Sequence, residues 1–387
     1  MKILYTWEWG AASGHLRRFV PLASRLRDAG HEVTIVAKEL YRLPCLFPFE
    51  SYRWVQSPDS GRATELLPAP RTFAEVAYNL GFDASDRITS ICGAWHEILR
   101  QHRPDLVLCD FGAASSWVAA AMEIPTIRIG TGYSCPPSDA ESIEFLPGHS
   151  SAASVVDRLL DQVASAMQVL GLKHKPCWND VLLPPDRTLL ASVPALDPYH
   201  QYRLSEEYSG TWDHDGQQDP PWRGQGQYRA VAYLKPFGNL PPLLAALHAL
   251  GAETILYGDG IPDQLLRSVR NPRLIISDAP LRLSGLSQAC DFVLCNGNHG
   301  TTAKALSQGV PVFAIPLFLE QRVTAARIQS EGWGVFVDPR MPQEFMSKAI
   351  EITSASIREK ASQFPNQVAD YSSRGLEHAW GKLQAFL

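Results

Sequence analysis

The sequence predicts an α/β chain folded as two doubly wound parallel-sheet domains, and three observations carry that expectation. Apolar runs of strand length alternate with helical patterns from the first residues onward. The alternation breaks once, at the polar, Gly- and Pro-rich stretch 209–227, and then restarts. Each half alone supplies enough strand–helix–strand units for an open parallel sheet.

In the first half, residues 2–6 read as a strand. Leu16, Phe19, Val20, Ala23 and Leu26 then recur at helical spacing, Gly30 closes that helix, and residues 32–37 read as the next strand. Pro21 falls inside the helical pattern and removes one backbone bond, so the helix is expected to begin late or bend there. Residues 105–109 read as a short buried strand, 113–122 as a small-residue helix, 126–129 as a strand and 151–170 as a helix. The span 51–99 is mixed and helical in places, as crossovers are. After the polar stretch come strand 228–234, helix 240–250, strands 253–257 and 273–276, helix 281–289, strand 292–295, helix 301–308 and strand 312–315. Ligands of such sheets collect at the carboxyl ends of the strands.

Bulk properties exclude several classes. At 387 residues, with 45% hydrophobic and 19% charged residues, the chain can build two separate cores. A net charge of −5 argues against nucleic acid as a partner. The seven cysteines form no CxxC pair and no metal-like spacing, and their odd number argues against a disulfide framework. The amino-terminal apolar run is short and interrupted by Glu8, which reads as a strand and not a signal peptide. No uninterrupted apolar stretch reaches membrane-spanning length, so a cytoplasmic protein without a transmembrane segment is expected. The acidic run 213–215 reads as a solvated turn, and no acidic cluster suggests a metal.

A few residues at strand ends can carry chemistry. His15, at the start of the first helix, suits a general base, whereas the plainer reading is capping or packing. Asp110 follows a buried strand of the same sheet. It can orient an imidazole and stabilise its cation, or cap the following helix. The loop from Cys295 to Thr302 joins a buried strand to a helix. Its free N–H groups and the Thr301 and Thr302 hydroxyls make an anion site, or a threonine-capped turn. Glu320 and Gln321 can bond several sugar hydroxyls, or can face solvent. Lys235 can set a cation near a diphosphate, or lie in water. Trp7, Trp9, Trp117 and Tyr133 can line an apolar pocket or belong to the core.

Three stretches together resemble the GT-B glycosyltransferases related to the UDP-glucuronosyl/glucosyl and macrolide transferases, glycosyltransferase family 1. They are GHLRRFVPLASRLRDAGHEVTIVA (14–37), PDLVLCDFGAASSWVAAAMEIPTIRI (104–129) and GNHGTTAKALSQGVPVFAIPLFLEQRVTAARIQSEGWG (297–334), which lie in both halves and in the family's order. The resemblance implies two Rossmann-like domains facing across a cleft. An acceptor domain would span 1–205, a connector 206–227, a nucleotide-sugar domain 228–370, and a last helix, 371–387, would pack back on the first domain. It implies His15 as base and Asp110 as its partner. Lys235, Asn296, Gly297, His299, Gly300, Thr301 and Thr302 would serve the donor diphosphate, and Glu320 and Gln321 the donor sugar.

The implied reaction is an inverting, metal-independent transfer of a hexose from a UDP- or dTDP-linked donor to a hydroxyl of a small, lipophilic acceptor. The nucleotide-sugar is a co-substrate, and no cofactor is needed. The sequence departs from the family twice: Asn296 stands where a histidine is usual, and Lys304 where an acidic residue is usual. Those departures motivate an alternative, a catalytically weak relative acting as a binding or auxiliary protein.

Overall fold

The computed structural model describes residues 1–387 except 11–12, 60, 139, 141–142, 147–151, 213–214, 217 and 270. It divides into two compact units, Met1–His214 with Tyr371–Leu387, and Asp215–Asp370.

The first unit runs β1 (Lys2–Trp7), α1 (Gly14–Asp28), β2 (Glu32–Ala37), β3 (Arg53–Gln56), α2 (Phe73–Asn79), α3 (Ser85–His102), β4 (Leu106–Asp110), α4 (Ala114–Ala121), β5 (Thr126–Gly130), α5 (Ala152–Val169) and β6 (Thr188–Leu190). Its sheet is parallel throughout, in the order β3-β2-β1-β4-β5-β6. The chain winds outward from β1 in both directions, so the order reverses between β1 and β4. Their carboxyl ends meet where Trp7 pairs with Asp110. The amphipathic face of α1 covers this sheet: Leu16, Phe19, Leu22, Ala23 and Leu26 are buried against Ile3, Tyr5, Leu106 and Leu108. Each of the leucine and phenylalanine side chains contributes about 1.5–3 kcal/mol on burial. Contrary to the expectation of a late start, α1 begins at Gly14 and runs through Pro21.

The second unit runs β7 (Tyr228–Leu234), α6 (Leu240–Ala249), β8 (Ala252–Gly258), α7 (Asp263–Ser268), β9 (Leu274–Ser277), β10 (Phe292–Cys295), α8 (His299–Ser307), β11 (Val312–Ala314), α9 (Leu319–Glu331), β12 (Gly334–Phe336), α10 (Phe345–Glu351) and α11 (Ala355–Gln367). Its parallel sheet has the order β12-β11-β10-β7-β8-β9, the same winding as the first. The reversal here lies between β7 and β10. A short helix, α12 (Ala369–Ser372), precedes α13 (Gly375–Gln384), which buries Ala379 and Leu383 in the first unit's core.

Three expectations need correction. The helix expected over 281–289 does not form, and the segment holds a single 3-10 turn, Leu286–Gln288. Asp215 accepts from the Leu283 and Ser284 N–H groups at 3.1 and 3.0 Å, and Gly285 takes a left-handed φ of 85°. Those contacts hold the chain out of helical geometry. Asp110 is the last residue of β4, not the residue after it. The polar stretch from 209 starts against the first core: Trp212 is buried there and donates to the Arg18 carbonyl at 3.1 Å. Of the acidic run 213–215, residues 213 and 214 lie outside the described residues; Asp215 is half-buried and ion-paired with Lys304 at 3.3 Å. All seven cysteines are unbonded. No helix among the described residues is long and apolar enough to cross a membrane.

Candidate active site

At the reversal point of the first sheet, His15 Nδ1 lies 2.7 Å from Asp110 Oδ1. His15 is 6% exposed and Asp110 1%. A carboxylate only accepts, so the shared proton sits on Nδ1 and the neutral ring leaves its lone pair on Nε2. Asp110 does not cap α4; that helix has Ala113 at its cap position with no side-chain bond. The Tyr5 hydroxyl also donates to Asp110 Oδ2, at 2.8 Å, and Arg18 Nη1 lies 3.8 Å from the same oxygen. Burial works to raise the Asp110 carboxyl. The charge and hydrogen bond of His15, with Arg18 and Tyr5, outweigh burial and hold it below its usual value. Burial and the neighbouring Asp110 charge push the Tyr5 hydroxyl well above its own, so it stays a donor.

The ring of His15 is held on two sides. It stacks near Trp7, with centroids 5.4 Å apart, and lies parallel to Phe111 at 5.9 Å. On its Nε2 side comes Gly10, with φ of 88°; a Cβ there would sit 3.0 Å from Nε2. Phe111 itself takes a positive φ of 41°, a costly conformation for a residue with a side chain. Glu8 braces this turn from inside. Its carboxylate accepts from the Ala114 and Ser115 N–H groups at 3.2 and 2.8 Å and from the Ser115 hydroxyl, supplying the missing cap of α4. The Glu8 side chain fills the space a Cβ on Gly112 would need. Burial raises the Glu8 carboxyl, against the pull of those donors.

Sequence reasoning missed Tyr5, Arg18 and Glu8 as parts of this site. Signals existed for two of them: Arg18 is three residues from His15 on one helix, and Tyr5 alternates onto the face of Trp7 in β1. Of the aromatic residues singled out, Trp7, Trp9, Trp117 and Tyr133 are all buried.

The second unit gathers its named residues at its own reversal point, with a division of labour the sequence did not reveal. Asn296 follows β10 and has no exposed surface. Its Oδ1 accepts from the Lys235 N–H at 2.9 Å, and its Nδ2 donates to the Ile315 carbonyl at 2.9 Å. It therefore cross-links the ends of β7, β10 and β11, where a donor contact was expected. Removing that link by Asn296→Ala is expected to destabilise the chain by about 1–3 kcal/mol, read from urea denaturation, because buried backbone groups lose their partners.

Gly297 has φ of 81° and no room for a Cβ, which would meet the Gln321 carbonyl at 2.8 Å. α8 starts at His299, two residues earlier than expected, with Asn298 at its cap. Asn298 does not cap its own helix; its Oδ1 accepts from Gln321 Nε2 at 2.6 Å. Gln321 in turn accepts from the Leu317 and Phe318 N–H groups at 2.8 and 3.2 Å. The first turn of α8, His299, Gly300 and Thr301, thus has neither a side-chain cap nor an acidic residue. Gly300 and Thr301 are partly exposed, whereas His299, Thr302 and Gln321 are buried. The Thr302 hydroxyl faces Cys295 Sγ at 3.9 Å, away from solvent. Glu320 lies partly exposed in the first turn of α9, and Lys235 Nζ sits 5.5 Å from the centre of the Phe318 ring. Among the described residues no group of His, Cys, Asp and Glu side chains is placed to hold a metal ion.

Two parallel, doubly wound sheets of identical winding, each flanked by helices, make this a chain of GT-B architecture. No protein-family model matches the chain. In sequence it is similar to a PGL/p-HBAD biosynthesis glycosyltransferase of Mycobacterium tuberculosis, 25% identical over 321 residues, 76% of this chain and 74% of the relative. It is also similar to the L-demethylnoviosyl transferase of Streptomyces niveus, 27% identical over 352 residues, 83% of this chain and 82% of that protein. In fold it matches the solved glycotransferase of kitacinnamycin with a TM-score of 0.68 and 18% identity, covering 100% of this chain and 98% of the other.

Proposed function

We propose that the chain is an inverting glycosyltransferase that moves a hexose from a UDP- or dTDP-linked donor to a hydroxyl of a small, lipophilic acceptor. The observation that carries this reading is the buried His15–Asp110 pair, 2.7 Å apart, with glycine on the Nε2 side. The names of the two sequence relatives, both transferases, support it.

In the reaction, His15 Nε2 takes the proton of the acceptor hydroxyl as its oxygen forms the new bond to the anomeric carbon. The bond from that carbon to the diphosphate oxygen breaks, and its electron pair leaves with the nucleoside diphosphate. Attack from the face opposite the leaving group inverts the centre. Asp110 keeps the tautomer that exposes the Nε2 lone pair and stabilises the imidazolium. In the second unit, the α8 first turn at Gly300 and Thr301, with Lys235, meets the diphosphate charge without calling on a metal ion. Glu320 bonds hydroxyls of the donor sugar. Asn296, Gly297, Thr302 and Gln321 hold the loop in shape, and His299 lines the turn.

Titrating the chain with UDP- and dTDP-sugars by calorimetry, and screening donors against hydroxyl acceptors by mass spectrometry, tests the proposal. At least one donor is expected to bind and to be consumed with a matching gain in acceptor mass. Binding of no donor would replace this reading with that of a non-catalytic binding protein.

A further inference from the structure

The two rings that flank the imidazole are tied together through one residue. The Trp7 indole N–H donates to the Trp9 carbonyl at 2.5 Å, and the Trp9 N–H donates to the Phe111 carbonyl at 2.9 Å. The rings of Trp7 and Phe111 both run nearly parallel to that of His15, at 22° and 1°. The Trp9 ring meets Phe111 edge-on, with centroids 5.6 Å apart. A Cβ on Gly10 would sit 3.0 Å from His15 Nε2 and 3.4 Å from Phe111 Cδ1. Residues 7–10 thus bracket both Phe111 and the imidazole.

Phe111 holds its place at a cost. A residue with a side chain adopts a φ of 41° only where its surroundings impose it. Trp9 fixes the Phe111 carbonyl, and Glu8 fixes the turn that follows. The Glu8 carboxylate accepts from the Ala114 and Ser115 N–H groups, and a Cβ on Gly112 would come within 2.5 Å of its Oε1. Capping α4 does not call for this arrangement. A serine, threonine or aspartate at the cap position does that locally, yet Ala113 stands there. The cap comes instead from a carboxylate only 3% exposed, beyond the end of β1, and burying such a group is costly.

We propose that Glu8 is a positioning residue: through the Phe111 backbone it sets the ring that fixes the imidazole plane, and so aims Nε2 of His15. Glu8 acts through Phe111, and Phe111 through His15. The benefit to transfer rests on the reading of His15 as base; the brace itself stands without it.

The Nδ1 proton of His15 reports the brace without any substrate. It lies in a 2.7 Å bond to a buried carboxylate. In the histidine-labelled full chain it is expected to give a downfield, slowly exchanging NMR line that His15→Ala removes. Glu8→Gln keeps the size of the side chain but sets an amide NH2 against the backbone donors. Phe111→Leu removes the flat ring and leaves Glu8 in place. Each variant, shown by urea denaturation to be folded, is expected to move the line upfield and speed its exchange severalfold. A role confined to capping α4 would lower the urea midpoint of Glu8→Gln and leave the line where it was. An unmoved line in either variant, or no protected line in the wild type, would overturn the proposal. Should Glu8→Gln fail to fold, Phe111→Leu decides alone. Transfer from UDP-glucose or dTDP-glucose is followed separately by mass spectrometry. Glu8→Gln is expected to lower kcat about tenfold in the wild-type background and by less than about twofold beside His15→Ala. An equal loss in both backgrounds overturns the route through His15. A moved line without turnover upholds the brace and counts against the transferase reading.

Discussion

Alanine in place of His15 is expected to slow transfer by about 10²–10⁴-fold in kcat, the usual contribution of a positioned general base. The expectation rests on where the imidazole stands, with Nδ1 bonded to Asp110 and Nε2 turned towards a residue without a side chain. Loss of the ring leaves Asp110 with the Tyr5 hydroxyl and Arg18, so the buried carboxylate keeps partners and the fold survives. Donor affinity should be unchanged, because the donor-binding residues proposed above belong to the second unit. Steady-state transfer, paired with calorimetric titration of the donor, separates the two effects. Near-wild-type transfer by His15→Ala would remove the residue from the base role.

Asp110→Asn is expected to lower kcat by a comparable factor, about 10²–10⁴-fold, while its shape is kept. The asparagine can turn its amide N–H towards Nδ1 and favour the tautomer with its proton on Nε2, so the loss combines that tautomer with the missing negative charge. The same substitution has a pH signature in stability. Asp110 titrates lower in the fold than in the unfolded chain, where an aspartate sits near about 3.9. It therefore contributes stability that is fully present above about pH 4 and lost as pH falls through the folded value. The stability gap between wild type and Asp110→Asn should shrink as pH falls from about 4 through the folded value of Asp110. Glu8 has the opposite sign. Its carboxyl titrates higher in the fold, so its contribution weakens as pH rises from the unfolded value through the folded one. Urea denaturation of wild type and Asp110→Asn at a series of pH values checks this; a gap that widens below about pH 4 would contradict it.

Much of the fold was legible because periodicity is local. The strands 32–37, 228–234 and 292–295 lie where the apolar runs end in the sequence. His15 and Asp110 could be named because chain ends of parallel strands are where such groups gather. What stayed hidden depends on partners far along the chain. Glu8 looks like an interruption of an apolar run, yet its partners are the N–H groups of 114 and 115. Asn296 looks like a weakened ligand, yet it ties together three strand ends. Residues 281–289 have a helical pattern, and Asp215 claims their N–H groups from outside. Strands as short as Thr188–Leu190 and Gly334–Phe336 carry too few residues for a pattern and form only because a neighbour supplies the ladder.

The return of α13 to the first unit has a consequence for how the molecule comes into being. The unit holding His15 is stitched from two ends of the chain, and Ala379 and Leu383 complete its core only when the last residues exist. The second unit is contiguous and needs nothing beyond Asp370. On a ribosome the half made first is thus finished last, after the half made second has every residue it requires. A premature stop or a clipped tail beyond Tyr371 would therefore injure the amino-terminal half, hundreds of residues upstream of the damage.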